Sequence, residues 1–339
     1  MRQPVSRKLI VFVPIALLLA AAGCSRQEIA VSSAASSPAK ARVASAHDSP
    51  RVDQDFWSRW GDGKAEMAGY ELTYPRYGQS RQGVAVTIFV TETFSNSLRV
   101  KADPGKHPDS DQFPVMKLNL IKDFQTGIYD YNTMLSSFVA LAPANARPAG
   151  SITKASYSSQ EWCGHVYQQI SFDAHTARST LHSYFDGEAD QDREIEYPED
   201  GISEDGLHFW ARRMAPPVLI PGETREVQLL TSLQHARESH TELAWKRATL
   251  SRSRGTLTLT VPAGTFEVER WTAELENGLV RNFYVEKASP HRIVRWESTG
   301  GERADLLGAD RLEYWTMNRN GGEEALKKLG LSPRPPRTD

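Results

Sequence analysis

The chain has 339 residues, of which 40% are hydrophobic and 24% are charged. This composition is typical of a folded protein and too apolar for a disordered one, and the length allows one large domain or two modest ones. The net charge is −2 and no basic stripe is visible, which argues against nucleic acid as a partner.

The first 23 residues have the pattern of a bacterial lipoprotein signal peptide. Three basic residues precede an apolar run from Leu9 to Ala22, which is too short for a comfortable transmembrane helix. Small residues then lead to Cys24, as in a lipobox. We therefore expect export, cleavage before Cys24 and acylation of its thiol, which holds a protein on a membrane without an apolar helix. Ser25 after the cysteine is compatible with the outer membrane, facing the periplasm.

The mature chain is predicted to begin with a tether. Residues 24–52 are rich in alanine and serine, which favours a flexible segment, and Phe56, Trp57 and Trp60 mark the start of a core. We predict a β-rich domain over residues 53–318, in which two packed subdomains could divide near residue 245. Residues 319–339 are predicted to form a short helix, centred on 322–329, and a proline-rich tail.

Strand patterns dominate the domain. Short runs of alternating or continuous apolar residues, bounded by glycine-rich turns, predict strands at 70–74, 84–90, 115–121, 156–172, 256–261, 266–274, 279–285 and 292–296. Asn277-Gly278 favours a tight hairpin. The acidic run from Asp186 to Asp192 favours a solvated hairpin loop over a calcium site. The predicted fold is mainly β, with twisted antiparallel sheets arranged as a half-barrel or a sandwich and few short helices.

One run of residues could carry chemistry. If residues 156–172 form a continuous strand, Glu161, Cys163 and His165 share one face. Three interpretations follow. His165 could activate Cys163 as a nucleophile, or the three side chains could bind zinc or copper. The third is structural, with Cys163 a buried thiol and His165 a hydrogen-bonding partner, and an unpaired thiol in an oxidising compartment favours it. If Cys24 carries lipid, Cys163 has no disulfide partner.

A second candidate site lies on the strand at 115–121. Lys117 and Asn119 share one face of this strand, where a lysine can simply extend along apolar surface. If that face lines a cavity, the two side chains could instead orient a polar ligand. We predict no cofactor.

Several short motifs occur together in a pattern that resembles a known family. They are Arg76-Tyr77-Gly78, Phe89 to Glu92, Lys117-Leu118-Asn119, Thr126 to Tyr129 and, as the most specific, Ser159 to His165. Over residues 55 to about 300 the chain resembles a family of uncharacterised bacterial lipoproteins, some of which are labelled septum formation inhibitors of the Maf type. Maf proteins are cytoplasmic α/β pyrophosphatases, whereas this chain has an export signal and β patterns. The segment 258–296 is similar to the end of periplasmic β domains of unknown function.

The resemblance implies a family but no activity, and no catalytic residue comes with it. The sequence therefore favours an envelope lipoprotein with a non-catalytic binding or scaffold role, whose partner is an envelope protein, a lipid or a glycan. The alternative is a Cys/His enzyme or a metal-binding protein that uses Glu161, Cys163 and His165.

Overall fold

The structure is a computed structural model that describes residue 50 and residues 52–333. The predicted signal peptide, Cys24, most of the tether and the end of the predicted tail lie outside the described residues.

Within the described residues, fifteen strands form one sheet. The strands in chain order are β1 (Ala65–Arg76), β2 (Gln79–Ser95), β3 (Gln112–Thr126), β4 (Tyr129–Ala140), β5 (Ile152–Glu161), β6 (Gly164–Phe172), β7 (Thr176–Ser183), β8 (Gln191–Glu196), β9 (Gly201–Ser203), β10 (Thr224–Leu230), β11 (Trp245–Val261), β12 (Gly264–Leu275), β13 (Val280–Glu286), β14 (Ile293–Ser298) and β15 (Arg303–Leu312).

The sheet consists of two meanders that meet at β1 and β15. The strand order runs from β8 back to β1, continues with β15 and then runs down to β9. Neighbouring strands are antiparallel, except that β9 pairs parallel to β10. The contact between the first and last strands brings Ala65 opposite Leu312 and Gly69 opposite Gly308. The prediction of a mainly β fold built on a twisted antiparallel sheet is confirmed.

The two edges of this sheet lie close together. Strands β8 and β9 occupy opposite ends of the strand order, yet only residues 197–200 separate them in the chain. A link of this length spans at most roughly 17 Å. The sheet therefore curls into an open barrel, and we call the interval between β8 and β9 the seam.

Three α-helices and four 3₁₀ helices are present in the described part of the chain. The α-helices are α1 (Gln54–Trp60), α2 (Leu207–Ala211) and α3 (Leu233–Ser239), and the 3₁₀ helices cover Asp109–Asp111, Glu204–Gly206, Tyr314–Thr316 and Gly322–Leu329. No helix in this part is long and apolar enough to cross a membrane.

Helix α2 fills the interior of the curled sheet. Its five residues are all buried, and its rings contact strands from both meanders. The ring centroid of Phe209 lies 5.7 Å from that of Phe89 on β2, and Trp210 lies 5.1 Å from Trp271 on β12, both edge to face. Four of its five residues are apolar, and a short helix with so few polar residues is stable only when it is surrounded. Here it serves as the centre of the core.

The C-terminal 3₁₀ helix packs on the outside of β1 and β15. Gly69 and Gly308 are paired across these strands, and a Cβ atom on Gly69 would lie 2.3 Å from the carbonyl oxygen of Leu329. Only glycine allows this approach. The predicted short helix at 322–329 is thus confirmed, as a 3₁₀ helix.

The prediction of one continuous strand over residues 156–172 is wrong. The chain reverses at Trp162 and Cys163, so the segment is a hairpin of β5 and β6 that pairs Glu161 with Gly164. The suggested division near residue 245 falls at the start of β11, which is hydrogen-bonded to both β10 and β12 in the same sheet. Residues 184–190 connect β7 and β8, so most of the acidic run lies in a hairpin loop, as predicted, and its last two residues begin β8.

Candidate functional site

Four exposed apolar residues lie at one end of the sheet. In an antiparallel meander the connections after alternate strands lie at the same end of the sheet. The turns after β1, β3, β5 and β7 are therefore neighbours, and we call this end of the sheet the distal end. The apolar rim consists of one residue from each turn: Tyr77, Ile128, Trp162 and Tyr184. They are 56%, 78%, 65% and 68% exposed, respectively.

The rim is held by rings just beneath it. The hydroxyl groups of Tyr77 and Tyr131 are hydrogen-bonded at 2.6 Å, and the rings of Trp162 and Tyr129 lie 6.1 Å apart. The ring of Tyr184 lies against Gly164, where a Cβ atom would be 2.5 Å from its Cγ. These contacts fix Tyr77, Trp162 and Tyr184 from inside while their outer faces stay open to solvent.

The N-terminal segment enters at the opposite, proximal end. Pro50 is buried there against Gly150 in the connection between β4 and β5, close to Pro216. The described part of the chain therefore begins at the end away from the rim.

A network of buried charges lies inside the sheet below the distal end. The Lys122 Nζ atom is 2.6 Å from Glu302 Oε1 and 3.0 Å from the side-chain oxygen of Gln234 on α3. The indole N–H of Trp296 donates to the same Glu302 oxygen at 2.8 Å. These contacts join β3, α3 and the turn before β15, so the network connects both meanders to the interior helical segment.

A second part of the network holds the start of α3. Glu204 accepts a hydrogen bond from Arg281 on β13 and, at 2.9 Å, one from the backbone N–H of Ser232. Asp205 accepts from the backbone N–H of Leu233 at 3.1 Å. Both acids thus satisfy N–H groups at the beginning of the helix, which have no partner within it.

Tyr74 joins the network to the far end of α3. Its hydroxyl group donates to Glu238 at 2.7 Å and accepts from the amide nitrogen of Gln234 at 2.5 Å. Burial, together with the negative charge of Glu238, raises the pKa of Tyr74 well above its ordinary value. The tyrosine therefore stays neutral and keeps its role as a donor.

Burial perturbs three acid–base groups of this network. It raises the pKa of Asp205 to about 7, an effect to which the nearby charge of Glu204 adds. Burial also lowers the pKa of His208 to about 3, helped by the positive charge of Lys122. Burial alone would raise the pKa of Glu302, but the positive charges of Lys122 and Arg281 outweigh this effect and lower the pKa to about 2.

A small cavity of about 90 Å³ lies among these groups. Two buried atoms that belong to residues lining it, Asp205 Oδ1 and His208 Nε2, have no hydrogen-bond partner among the described residues. The cavity can hold a few water molecules that satisfy such atoms, and it is well below the 300–1,000 Å³ typical of ligand pockets. Its lining is that of an internal polar network that contacts α2 and α3 inside the sheet.

The predicted row of Glu161, Cys163 and His165 does not exist as one face. The two-residue turn places Cys163 at an exposed tip, and His165 is exposed on the outer side of β6. The Glu161 side chain points inward, is only 3% exposed and lies 3.7 Å from Arg237 of α3. The burial expected of Cys163 is therefore wrong. Among the residues that the structure describes, no three His, Cys, Asp or Glu side chains form a group that could hold a metal.

Lys117 and Asn119 lie on the outer face of β3, because their neighbours Met116, Leu118 and Leu120 point into the core. The Lys117 Nζ atom is 2.5 Å from Glu92, and Asn119 accepts a hydrogen bond from Ser136 at 2.7 Å. Neither residue lines the internal cavity. A binding role for them stays a prediction.

Sequence reasoning missed the charged network, although one signal for it was present. On β3, Leu118, Leu120 and Phe124 alternate toward the core, and Lys122 occupies the same inward register. A lysine at a core position requires a buried partner. The partners themselves lie in turns and short helices far away in the chain, where no pattern marks them.

No protein-family model matches the sequence, and no curated protein is similar to it. Among solved structures, the chain is similar to the crystal structure of a β-barrel-like protein of the domain of unknown function DUF1849 from Brucella abortus. The TM-score is 0.41 and the identity 10%, over 74% of this chain and 98% of that chain. That protein is itself of unknown function, so no activity comes with the similarity.

Proposed function

We propose that this chain is an exported lipoprotein, acylated at Cys24, with a non-catalytic binding role at the cell envelope, and that its apolar rim contacts a lipid bilayer. The observation that carries the proposal is the apolar rim itself. Four large side chains that are each more than half exposed, all at one end of the sheet, mark an interaction surface.

The composition of the rim favours a bilayer. Tryptophan and tyrosine prefer the interface between lipid and water, where the ring is apolar on one side and hydrated at its polar atom. The turn between β7 and β8 adds exposed carboxylates beside Tyr184, at Asp186 and Asp190. We therefore expect contact with neutral phospholipid, without enhancement by anionic lipid.

The proposed anchor leaves enough chain for this contact. The residues between Cys24 and Pro50 can span up to roughly 90 Å when extended. The longest described strands, β2 and β11, have 17 residues each and are therefore about 55 Å long. A lipid held at the proximal end thus allows the rim to reach either the same bilayer or a facing one.

Lipid attachment is tested by the Cys24→Ser variant. We expect the wild-type chain to incorporate radiolabelled palmitate in a Gram-negative host and to fractionate with membranes, and the variant to do neither. Palmitate incorporation that survives the substitution would contradict the assignment of Cys24.

The rim is tested by sedimentation of the Cys24→Ser chain with phosphatidylcholine vesicles. Trp162→Ser combined with Ile128→Ser removes two rim side chains. A large apolar side chain contributes about 1.5–3 kcal/mol to the free energy of transfer from water when it is fully buried, so we expect vesicle binding to weaken at least tenfold.

The matched control is Leu98→Ser combined with Ile220→Ser, which are 63% and 68% exposed but lie at the proximal end. Vesicle binding of this control should equal that of the parent chain. Equal losses for both pairs would show that the rim has no special part in binding.

A further inference from the structure

The seam leaves one edge of β8 unpaired with any strand of the described sheet. Strand β8 (Gln191–Glu196) is the terminal strand, bonded only to β7, and β9 has only three residues, which pair with β10. An unpaired edge presents backbone N–H and C=O groups in a row. The chemistry that matches such a row is another extended chain, which adds as a strand.

A groove runs beside this edge. It has a volume of about 550 Å³ and lies between the inner side of β6 to β8 and the segment from α3 to residue 243. Leu181, Ile195 and Leu243 supply apolar surface, and Arg193 and Glu242 supply charge. The volume is within the range of binding sites for small ligands and short peptides. A strand added to β8 would direct every second side chain into this groove.

The groove also contains an arginine without adequate partners. Arg237 of α3 is 6% exposed, and its Nε and Nη1 atoms are buried without a hydrogen-bond partner among the described residues. Its ion pair with Glu161 is long, at 3.7 Å, and its guanidinium carbon lies 3.9 Å from the centre of the Phe185 ring. A buried guanidinium requires hydrogen-bonded anions, and a carboxylate fits its planar fork.

Two exposed ion pairs hold the seam together along β8, and at the end of this strand the indole N–H of Trp245 donates to the carbonyl oxygen of Glu196 at 2.8 Å. The edge open to an incoming chain is therefore that of residues 191–195.

Arg193 of β8 forms an ion pair with Glu242, and Glu188 contacts His240, so both pairs cross from the β7–β8 hairpin to the segment after α3. Arg193, Glu242 and His240 are 41%, 72% and 51% exposed in their side chains. Exposed ion pairs contribute only about 0–1 kcal/mol each, so an incoming chain displaces them at little cost.

We propose that the seam groove binds an extended peptide, which pairs with the free edge of β8 and places a carboxylate group on Arg237. The site is separate from the apolar rim and does not depend on the proposed contact with lipid. The carboxylate belongs either to an acidic side chain or to the C-terminus of the peptide.

The test begins with a library of random linear heptapeptides displayed on phage, selected on the full-length chain purified in detergent. The enriched sequences are synthesised with a fluorescent label, and their affinity is measured by fluorescence polarisation. We expect enriched peptides that lose at least tenfold in affinity when alternate backbone nitrogens are methylated, because methylation removes the N–H groups that pair with β8. Hydrogen exchange should slow at residues 191–195 when the peptide is bound.

The arginine is tested by Arg237→Gln, with Arg178→Gln on the outer side of β7 as the matched control. Arg178 pairs with Glu194, and both side chains are more than half exposed. We expect at least a tenfold loss of affinity for Arg237→Gln and no change for the control. Because Arg237→Gln could disturb α3, a second variant is needed: Glu161→Gln removes the only carboxylate paired with Arg237 in the described structure and should tighten peptide binding.

The source of the carboxylate is decided by two changes in the peptide, amidation of its C-terminus and replacement of each acidic residue by its amide. One of the two should reproduce the loss seen with Arg237→Gln. The proposal is overturned if no peptide is enriched, if enriched peptides tolerate backbone methylation, or if neither Arg237→Gln nor Glu161→Gln changes their affinity.

Discussion

Replacing Lys122 by methionine tests whether the buried charges hold the interior helical segment to the sheet. Lys122 and Glu302 are 5% and 10% exposed in their side chains, and their charged atoms are 2.6 Å apart. Methionine keeps the length of the side chain but removes the charge. Glu302 then remains buried with the more distant Arg281, at 3.7 Å, and the indole N–H of Trp296.

The expected loss of unfolding free energy comes from leaving Glu302 buried without its main partner, not from the net stabilisation that the ion pair provides. Breaking a buried ion pair from one side costs about 3–5 kcal/mol, because the remaining charge is no longer compensated. Arg281 compensates Glu302 in part, so we expect a loss of about 3 kcal/mol. The double variant Lys122→Met, Glu302→Gln leaves no charge behind and should be more stable than Lys122→Met alone.

The pH dependence gives an independent check of the same contact. The folded-state pKa of Glu302 is about 2, against an ordinary value of 4.5. A lowered acid pKa contributes stability that is present above the ordinary value and lost as pH falls toward the folded value. At 1.36 kcal/mol per unit, this contribution is about 3 kcal/mol. The difference in stability between wild type and Lys122→Met should therefore shrink as pH falls from 4.5 toward 2.

The assay is urea unfolding followed by tryptophan fluorescence, at neutral pH and at several acidic values. The matched control is Lys287→Met, whose ion pair with Glu267 has a distance of 3.0 Å but is 55% exposed on both sides. The control should lose less than about 1 kcal/mol. Equal losses for the two lysines, or a double variant no more stable than Lys122→Met, would refute the reasoning.

Three further outcomes are expected. The wild type should lose stability relative to Asp205→Asn as pH rises from 4 to 7. Burial raises the pKa of Asp205 from 3.8 to about 7, so the charged form of this residue destabilises the fold. A difference in unfolding free energy between the two proteins that is the same at pH 5 and pH 8 would contradict this. Gly69→Ala should lower the free energy of unfolding by about 1–3 kcal/mol and expose the C-terminal helix to proteolysis, because the new Cβ atom would clash with the carbonyl oxygen of Leu329. The control Gly255→Ala should be neutral, because a Cβ atom there has no neighbour within 4 Å. Equal digestion of both variants would argue against the packing. Cys163 should react fully with a thiol reagent in the native protein, because it is exposed; labelling that requires denaturant would show that the turn is buried.

The sequence by itself determined the local structure. The alternation of apolar residues and the glycine turns predicted seven of the fifteen described strands, including the hairpin at Asn277-Gly278, because side-chain direction alternates within each strand regardless of its neighbours. It did not predict β4, β7 to β10 or β15. It also placed the short helix at 322–329. It erred at residues 156–172, where one continuous strand was predicted. The buried positions are odd-numbered before the turn, as at Tyr157, and even-numbered after it, as at Val166 and Ile170, so the change of phase next to Gly164 was a signal of the turn.

The tertiary structure alone decided which strands meet and what fills the interior. The pairing of β1 with β15 joins residues more than 200 positions apart, and no local pattern specifies such a partner. Helix α2 has five residues that are buried on all sides, too few to show a helical period. The same applies to the site: Lys122 signalled a buried partner, but Glu204 and Glu302 reach the network only because the sheet curls around α2. Burial and charge pairing depend on that closure, and they lower the pKa of Glu302 and raise the pKa of Asp205.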